Sequence, residues 1–221
     1  MRFAAEGYPF MAAGAVPALA AWAAVALGSG GTAMLVGALL LSLLAAFVAF
    51  FFRDPRHALP QDPAAVLAPG QGRIVDVREV EEPTFLGGAC RRISIFLSIF
   101  DVHVKRAPVS GIVEHRTYRP GTYAVAWLEK ASEDNEQASI GISTPGGKVL
   151  VRQIAGLVAR RIVTDPSEGD PVERGSRIGL IRFGSRVDLF LPLDWEVTCA
   201  VGDRAVAGLT TLARQPALVS G

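Results

Sequence analysis

A stretch of 46 residues without any Asp, Glu, Lys or Arg lies between Glu6 and Arg53, and it constrains the fold of this 221-residue chain more than any other feature. It contains two apolar segments of 21 residues each, Tyr8–Gly28 and Thr32–Phe52. A helix of that length spans the roughly 30 Å of hydrocarbon in a bilayer. Because a Ser-Gly-Gly turn signal separates the segments, the sequence predicts a membrane-associating helical hairpin over residues 1–52.

Positive residues flank this hairpin on both outer sides. Arg2 precedes it, Arg53 and Arg56 follow it, and the connecting loop carries no charge. Since basic flanks stay on the cytoplasmic side, we expect the rest of the chain to lie on the cytoplasmic face of the cell (inner) membrane. A cleaved signal peptide is disfavoured because the apolar run is too long and has no clear cleavage site. A shallow re-entrant hairpin stays open, since the first segment is only weakly hydrophobic.

The charges of the whole chain nearly balance, with 22 Lys and Arg against 21 Asp and Glu. A nucleic-acid-binding protein would carry a basic excess, so no nucleic-acid partner is expected. Cys90 and Cys199 form no CxxC pair and have no histidine close by, which argues against a zinc or thioredoxin-like site. We interpret them as reduced thiols in a cytosolic domain and expect no metal.

The sequence predicts a compact all-β domain, sandwich-like or barrel-like, at residues 70–221. It follows a Pro-rich linker at 53–69. Short runs rich in Val, Ile and Phe alternate with Gly, Pro, Asp and Asn, which is typical of such folds. The runs predict strands at Gly72–Val80, Arg92–Phe100, Gly111–Thr117, Tyr123–Trp127, Ala138–Ser143, Val149–Ile154, Ala159–Val163, Ile178–Phe183, Val187–Leu191, Glu196–Cys199 and Ala205–Leu212. The polar segment Leu128–Gln137 is a candidate helix or loop.

His103 is the histidine most suited to chemistry. It ends the most apolar segment of the domain and is flanked by Asp101 and Lys105. Such a ring can serve as an acid or base near neutral pH, although a purely structural role remains open. His57 and His115 lie in polar surroundings, where solvated side chains are the default.

Gly184-Ser185 is the second candidate site. The pair lies between two apolar strand segments, where a tight hairpin or bulge is the common explanation. The alternative is a strained peptide whose Ser185 hydroxyl attacks the carbonyl of Gly184. Glycine suits that role because it tolerates unusual backbone angles.

Five ordered segments together resemble the short, single-domain bacterial and archaeal-type phosphatidylserine decarboxylases. They are FFRDP after the hairpin, RISIFLSIFDVHVKRAP at Arg92–Pro108, KASEDNE at Lys130–Glu136, VRQIAGLVARRI at Val151–Ile162 and GLIRFGSRVDLFL at Gly179–Leu191. None is specific alone, but the set covers most of the domain and includes the hairpin.

The resemblance implies a proenzyme that cleaves itself between Gly184 and Ser185. Ser185 would become a covalent pyruvoyl group, and a large subunit (1–184) would stay bound to a small one (185–221) as a heterodimer. The pyruvoyl carbonyl would decarboxylate phosphatidylserine of the bilayer to phosphatidylethanolamine and carbon dioxide through a Schiff base. The family motif assigns His103 to proton transfer, and a homo-oligomer is conceivable.

Two positions depart from the family pattern. Gln71 stands where the family has the aspartate of P-A-D-G, which is assigned to self-cleavage. Glutamine cannot accept a proton at neutral pH, and Asp76 is a conceivable substitute. Arg106 stands where longer relatives have a second histidine.

Two other functions compete with this hypothesis. One is a membrane-bound serine–lysine peptidase in which Ser185 and Lys130 form the dyad. The predicted cytoplasmic orientation disfavours it, because export signals are removed on the other side. The other is a processing-deficient, non-enzymatic β-domain that serves as an assembly surface, an alternative kept open by Gln71.

Overall fold

A computed structural model of the chain describes residues 2–121, 135–156, 161–182 and 184–216. The chain divides into two units, Met1–Arg56 and His57–Gly221. The predicted strand Tyr123–Trp127, most of Leu128–Gln137 and the beginning of Ala159–Val163 lie outside the described residues.

The first unit is the predicted hydrophobic helical hairpin, which is confirmed. A 3₁₀ turn at Ala5–Gly7 leads into helix α1 (Tyr8–Ala26), and helix α2 follows at Gly31–Phe51. Gly30 has a φ of 82°, in the left-handed region that favours glycine, and it reverses the chain between the helices. Both helices are long and apolar enough to cross a membrane.

The two helices pack closely through small residues and one hydrogen bond. A Cβ added to Gly14 would lie 3.2 Å from Cα of Ala45, so the helix backbones approach each other there. The indole Nε1–H of Trp22 donates to Ser42 Oγ at 2.9 Å. Small residues and satisfied polar groups are the features that hold apolar helices together where the surroundings are themselves apolar.

The two ends of the hairpin are joined by backbone hydrogen bonds. Asp54 N–H donates to the carbonyl oxygen of Arg2 at 2.8 Å, and Ala4 N–H donates to that of Phe52 at 2.8 Å. Arg2 and Arg56 line one pocket. The basic residues before and after the hairpin therefore lie at the same end of this unit.

The described residues of the second unit form fourteen strands. These are β1 (Ala65–Leu67), β2 (Gly72–Glu82), β3 (Gly88–Leu97), β4 (Val104–Arg106), β5 (Gly111–Arg119), β6 (Gln137–Thr144), β7 (Gly147–Ala155), β8 (Ile162–Thr164), β9 (Pro171–Val172), β10 (Arg177–Ile181), β11 (Ser185–Leu191), β12 (Glu196–Val197), β13 (Arg204–Ala205) and β14 (Thr211–Arg214). The prediction of a mostly β domain is confirmed.

Eight of these strands form one antiparallel sheet that curls into a half-barrel, in the order β13-β2-β3-β11-β7-β6-β5-β9. Two three-stranded sheets, β1-β14-β12 and β4-β10-β8, complete the unit. Alternate residues of the large sheet face the core, including Ile93 and Ile95 of β3 and Val187 and Leu189 of β11. We call this the inner face of the sheet and the opposite side the outer face.

Several predicted boundaries are wrong. The segment 53–69 contains strand β1, whose three residues are fully buried and pair with β14, so it is not only a linker. Strand β3 ends at Leu97 rather than Phe100. The predicted strand Ala205–Leu212 is two strands, β13 and β14, separated by a turn in which Gly208 has a φ of 70°.

Both cysteines are free thiols. Burial raises the pKa of Cys90 and of Cys199 to about 11. A thiol with such a pKa is protonated near neutral pH and is a poor nucleophile. This agrees with the interpretation of Cys90 and Cys199 as reduced, structural thiols.

Candidate active site

Ser185 is the first residue of β11, which lies in the middle of the large sheet. It is opposite Leu97 of β3 on one side and Ala155 of β7 on the other. Its side chain is fully buried, and Oγ has no hydrogen-bond partner among the described residues. By the alternation of a strand, Ser185 shares the inner face with Val187. A buried hydroxyl without a partner is energetically costly.

Gly184 precedes Ser185 in a backbone conformation that other residues rarely adopt. Its φ is 48°, in the left-handed region. The segments on its two sides do not pair with each other, because β10 pairs with β4 and β8 while β11 pairs with β3 and β7. The Gly184-Ser185 peptide is therefore a junction between two sheets and not the turn of a hairpin.

His103 lies beside the strand that leads to this junction. The N–H of Ile181, the last residue of β10, is 3.4 Å from the carbonyl oxygen of His103. The imidazole is fully buried, and its Nδ1 is 2.9 Å from the carbonyl oxygen of Asp101. Because a carbonyl oxygen can only accept, Nδ1 carries a hydrogen. In the neutral ring Nε2 then holds the lone pair, which is the state of a base.

The segment 69–72 packs over the same place. The carbonyl oxygen of Pro69 accepts a hydrogen bond from the N–H of Arg106 at 3.0 Å. A Cβ added to Gly70 would lie 2.7 Å from Cγ1 of Val187 and 3.6 Å from Cδ1 of Leu97. Only glycine fits there without displacing those neighbours, and Gln71, the next residue, is half-buried.

Asp76 cannot substitute for the family aspartate, so that hypothesis is wrong. It pairs in register with Ser94, which alternates with the core residues Ile93 and Ile95 and therefore lies on the outer face. Its carboxylate is 2.7 Å from Arg92 and 3.1 Å from Arg78. Asp76 is thus on the side of the sheet away from Ser185 and is already neutralised.

Lys105 is the residue that the sequence did not single out. It is fully buried in β4, and Nζ has no hydrogen-bond partner among the described residues. Nζ is 3.7 Å from the point where a Cβ on Gly70 would lie, the same point that Val187 and Leu97 approach. Burial lowers the pKa of Lys105 to about 7, although the nearby Asp101 carboxylate acts in the opposite direction.

A third buried polar side chain on the inner face is Gln153 of β7, which is opposite Val187. Neither amide atom has a partner among the described residues. Its Oε1 is 3.2 Å from the position of a Cβ on Gly179 of β10. Ser185, Lys105 and Gln153 are thus three buried polar side chains without hydrogen-bond partners among the described residues, a pattern typical of a site that binds or reacts.

The last two residues of the KASEDNE segment also lie at this site. Asn135 Nδ2 donates to the carbonyl oxygen of Ala155 at 2.7 Å, and Ala155 N–H donates to that of Glu136 at 2.9 Å. Since Ala155 is opposite Ser185, the end of this motif supports the strand beside the serine. Sequence reasoning placed these residues in a motif without giving them a role. Lys130 lies outside the described residues, so the Ser185–Lys130 dyad remains a prediction.

Two buried or half-buried arginines on the outer face contact carboxylates. Arg186 contacts Asp188 through Nε and a terminal nitrogen, both at 2.7 Å. Arg152 is 3.1 Å from the buried carboxylate of Glu82. These two guanidinium groups therefore stabilise the sheet. A polar cavity of about 210 Å³ beside Arg152 and Glu82 lies on this face, away from Ser185.

Gly184-Ser185, a buried histidine and a buried lysine without a hydrogen-bond partner among the described residues all lie in a β-domain that follows an apolar hairpin, as expected of a self-processing, membrane-associated enzyme. The family model for phosphatidylserine decarboxylase matches residues 44–213. The chain belongs to the phosphatidylserine decarboxylase family, whose members are carboxy-lyases.

Relatives from several bacteria carry the name phosphatidylserine decarboxylase proenzyme. The one from Symbiobacterium thermophilum is 50% identical over 217 residues, covering 96% of this chain and 95% of its own. The one from Salinibacter ruber is 51% identical over 179 residues, covering 80% and 79%. The one from Magnetococcus marinus is 43% identical over 218 residues, covering 96% and 94%. The likeness therefore includes the hairpin as well as the β-domain.

Proposed function

We propose that this chain is a proenzyme of a pyruvoyl-dependent phosphatidylserine decarboxylase, and that it cleaves itself between Gly184 and Ser185. Membership of the family supports the reaction. The observation that carries the residue assignment is the junction itself. A left-handed Gly184 precedes a fully buried Ser185 whose Oγ has no partner among the described residues.

The cleavage would use groups of the chain alone. Ser185 Oγ loses its proton and attacks the carbonyl carbon of Gly184, and the peptide nitrogen leaves to give an ester. Removal of the Ser185 α-proton then expels the Gly184 carboxylate and leaves dehydroalanine, which hydrolyses to a pyruvoyl group and ammonia. The buried, unpaired polar groups around Ser185 suit a carbonyl at that position, because Lys105 and Gln153 offer N–H donors. A pyruvoyl group supplies the electron sink that no ordinary side chain offers.

We propose that His103 moves the proton in decarboxylation. With Nδ1–H held by Asp101, the neutral ring presents Nε2 for the transfer. The ring is fully buried and follows the turn that connects to Leu97, the residue opposite Ser185. The buried position and the contact at Nδ1 support a role in proton transfer at Nε2.

The two products of cleavage would stay together. Strand β11 of the small subunit (185–221) lies between β3 and β7 of the large subunit (1–184), and pairs with both along its length. Strands β13 and β14 pair with β2 and β1 of the large subunit. The heterodimer would therefore be held by shared sheets.

The substrate would be phosphatidylserine in the bilayer reached by the hairpin. The apolar lengths of α1 and α2 support membrane association. The basic residues Arg2, Arg53 and Arg56 on the outer sides of the hairpin support the cell (inner) membrane, with the β-domain on its cytoplasmic face.

Intact-mass measurement of the purified protein tests the cleavage. We expect two species, and the smaller should have the mass of residues 185–221 with its amino-terminal serine converted to pyruvoyl. Borohydride should add hydrogen to that species alone and abolish turnover. A full-length chain alone after prolonged incubation would favour the processing-deficient alternative, in which Gln71 leaves self-cleavage without its aspartate.

We further propose that Lys105 accepts the proton from Ser185, a role that neither Gln71 nor Asp76 can take. A neutral amine is a competent base, and burial favours the neutral form of this lysine. The charge that faces it is the Asp101 carboxylate, whereas Gly70, Leu97 and Val187 around it are neutral. Nζ lies by Gly70 at the point that Leu97 and Val187 also approach, and Leu97 is opposite Ser185. Neither Nζ nor Oγ has a partner among the described residues.

Lys105→Met should slow the appearance of the small subunit, because methionine keeps the apolar stem and removes the amine. In the parent chain the rate of cleavage should rise with pH through about 7, the pKa of Lys105, as the neutral amine forms. The variant should lose this rise. It should also resist heat at least as well as the parent, since an apolar side chain replaces a buried amine. Lys148→Met, at an exposed position, is the control. Unchanged cleavage kinetics in Lys105→Met would remove Lys105 from the process.

A further inference from the structure

The turn between β3 and β4, residues 98–103, carries two exposed apolar side chains. Ile99 is 39% exposed and Phe100 is 62% exposed. The turn begins next to Leu97, which is opposite Ser185, and it ends at His103. An exposed apolar tip is therefore attached to both parts of the candidate active site. We call residues 98–101 the apolar turn.

Hydrogen bonds fix the backbone of this turn. The buried carboxylate of Asp101 accepts from Ser98 N–H at 2.9 Å and from Ser98 Oγ–H at 2.8 Å through one oxygen. Its other oxygen is 2.7 Å from a terminal nitrogen of Arg204. Asp101 N–H donates in turn to the carbonyl oxygen of Ser98 at 3.0 Å. Ile99 and Phe100 are thus presented on an ordered loop rather than on a frayed strand end.

Basic side chains lie directly beside the apolar turn. Arg204 of β13 is opposite Arg73 of β2, and Arg73 is opposite Phe96, the residue before Leu97. Arg73 is exposed, and the Arg204 side chain keeps 60% of its surface while it contacts Asp101. Two acidic residues lie near these arginines. The Asp101 carboxylate is held by Ser98 and Arg204, and the Asp203 carboxylate accepts a hydrogen bond from Ala200 N–H. Arg73 and Arg204, the second of which keeps most of its surface while it pairs with Asp101, therefore lie beside two exposed apolar side chains.

We propose that the apolar turn is a membrane contact of the β-domain, separate from the hairpin. Ile99 and Phe100 enter the interface between head groups and acyl chains, and Arg73 and Arg204 bind phosphates of anionic lipid. Apolar side chains rimmed by arginine fit a bilayer with anionic lipids better than a protein groove, since both chemistries occur there side by side. The proposal rests on the proposed function in one respect, that the substrate is a lipid.

The apolar turn connects the proposed membrane contact to the candidate active site. Leu97 directly precedes the apolar turn, and His103 follows it by two residues. Insertion of the tip would place the entrance of the site at the depth of the lipid head group. The serine head group would then enter while the acyl chains remain in the bilayer.

Photo-crosslinking of the full chain in vesicles tests this directly. A benzophenone amino acid replaces Phe100 in vesicles of phosphatidylcholine with a minor fraction of phosphatidylserine. The control replaces Leu193, which is 40% exposed in the turn at the other end of β11, about 20 Å along the strand from Ser185. We expect lipid adducts by mass at position 100 and none at position 193. No adduct at position 100, or equal adducts at both positions, would overturn the proposal.

An activity comparison provides the second test. Phe100→Ser should lower decarboxylation of phosphatidylserine in vesicles about tenfold, and it should leave turnover of a monomeric short-chain phosphatidylserine unchanged. Equal losses on the two substrates would assign Phe100 to the chemistry and contradict a membrane role. Crosslinking needs neither cleavage nor turnover. A parent chain that never forms fragments would therefore contradict the proposed function, while the adducts at position 100 would still decide the membrane contact.

Discussion

A chain with Ser185→Ala should remain a single uncleaved polypeptide and release no carbon dioxide from phosphatidylserine above the uncatalysed rate. Alanine lacks the hydroxyl that we propose attacks the carbonyl of Gly184, so neither the ester nor the pyruvoyl group would form. The fold should persist, because Oγ has no hydrogen-bond partner among the described residues. Intact mass reports the cleavage, and trapped carbon dioxide reports the reaction.

Ser94→Ala is the matched control for this experiment. Ser94 is also buried in the large sheet, and its Oγ also has no partner among the described residues, but it lies on the outer face opposite Asp188. This variant should cleave itself and release carbon dioxide from phosphatidylserine like the parent. Normal cleavage of the Ser185→Ala chain would show that another peptide bond is cleaved and would contradict the assignment.

Replacement of His103 should give the second large effect. His103→Ala should reduce carbon dioxide release by about 10²- to 10⁴-fold, the usual contribution of a general acid or base. Lipid binding should change far less, since His103 is fully buried behind the apolar turn. The measurements are turnover per mole of processed small subunit and co-sedimentation with vesicles.

Two variants separate proton transfer from positioning at His103. Asparagine keeps a donor for the carbonyl oxygen of Asp101 but has no titratable nitrogen, so His103→Asn should be as inactive as His103→Ala if the ring moves a proton. His115→Ala, which removes a ring stacked 5.5 Å from Phe85 on the outer face, should keep full activity. Recovery of activity in His103→Asn would limit His103 to holding the turn.

The features that local composition encodes were predictable. The hairpin follows from the length of its apolar segments and a glycine turn. The first and last residues of each helix lie within two residues of the predicted bounds. Long strands such as β2 and β7 follow from apolar patterning. The short strands β1 and β4 were missed, because three residues carry too little pattern and their burial depends on partners distant in sequence.

The candidate active site was likewise only partly predictable from local sequence. Gly184-Ser185 and His103 are marked by their neighbours in the chain, whereas in the sequence Lys105 is only a charged residue that flanks His103. Its burial arises only when segment 69–72 and strand β10 close over β4. The side of the sheet on which Asp76 lies was also beyond the sequence, because a β-bulge between Ile74 and Asp76 shifts the register of β2.

The position of β11 has a consequence for how the mature enzyme fails. Each of its residues from Ser185 to Phe190 is held between a strand on either side, so a fragment produced by the proposed cleavage would not leave without dismantling the central sheet. Once heat or denaturant separates the fragments, reassembly is a bimolecular encounter that weakens on dilution, whereas the uncut precursor refolds as one molecule. Self-cleavage would thus make recovery of the mature protein from unfolding depend on protein concentration, whereas recovery of the precursor would not.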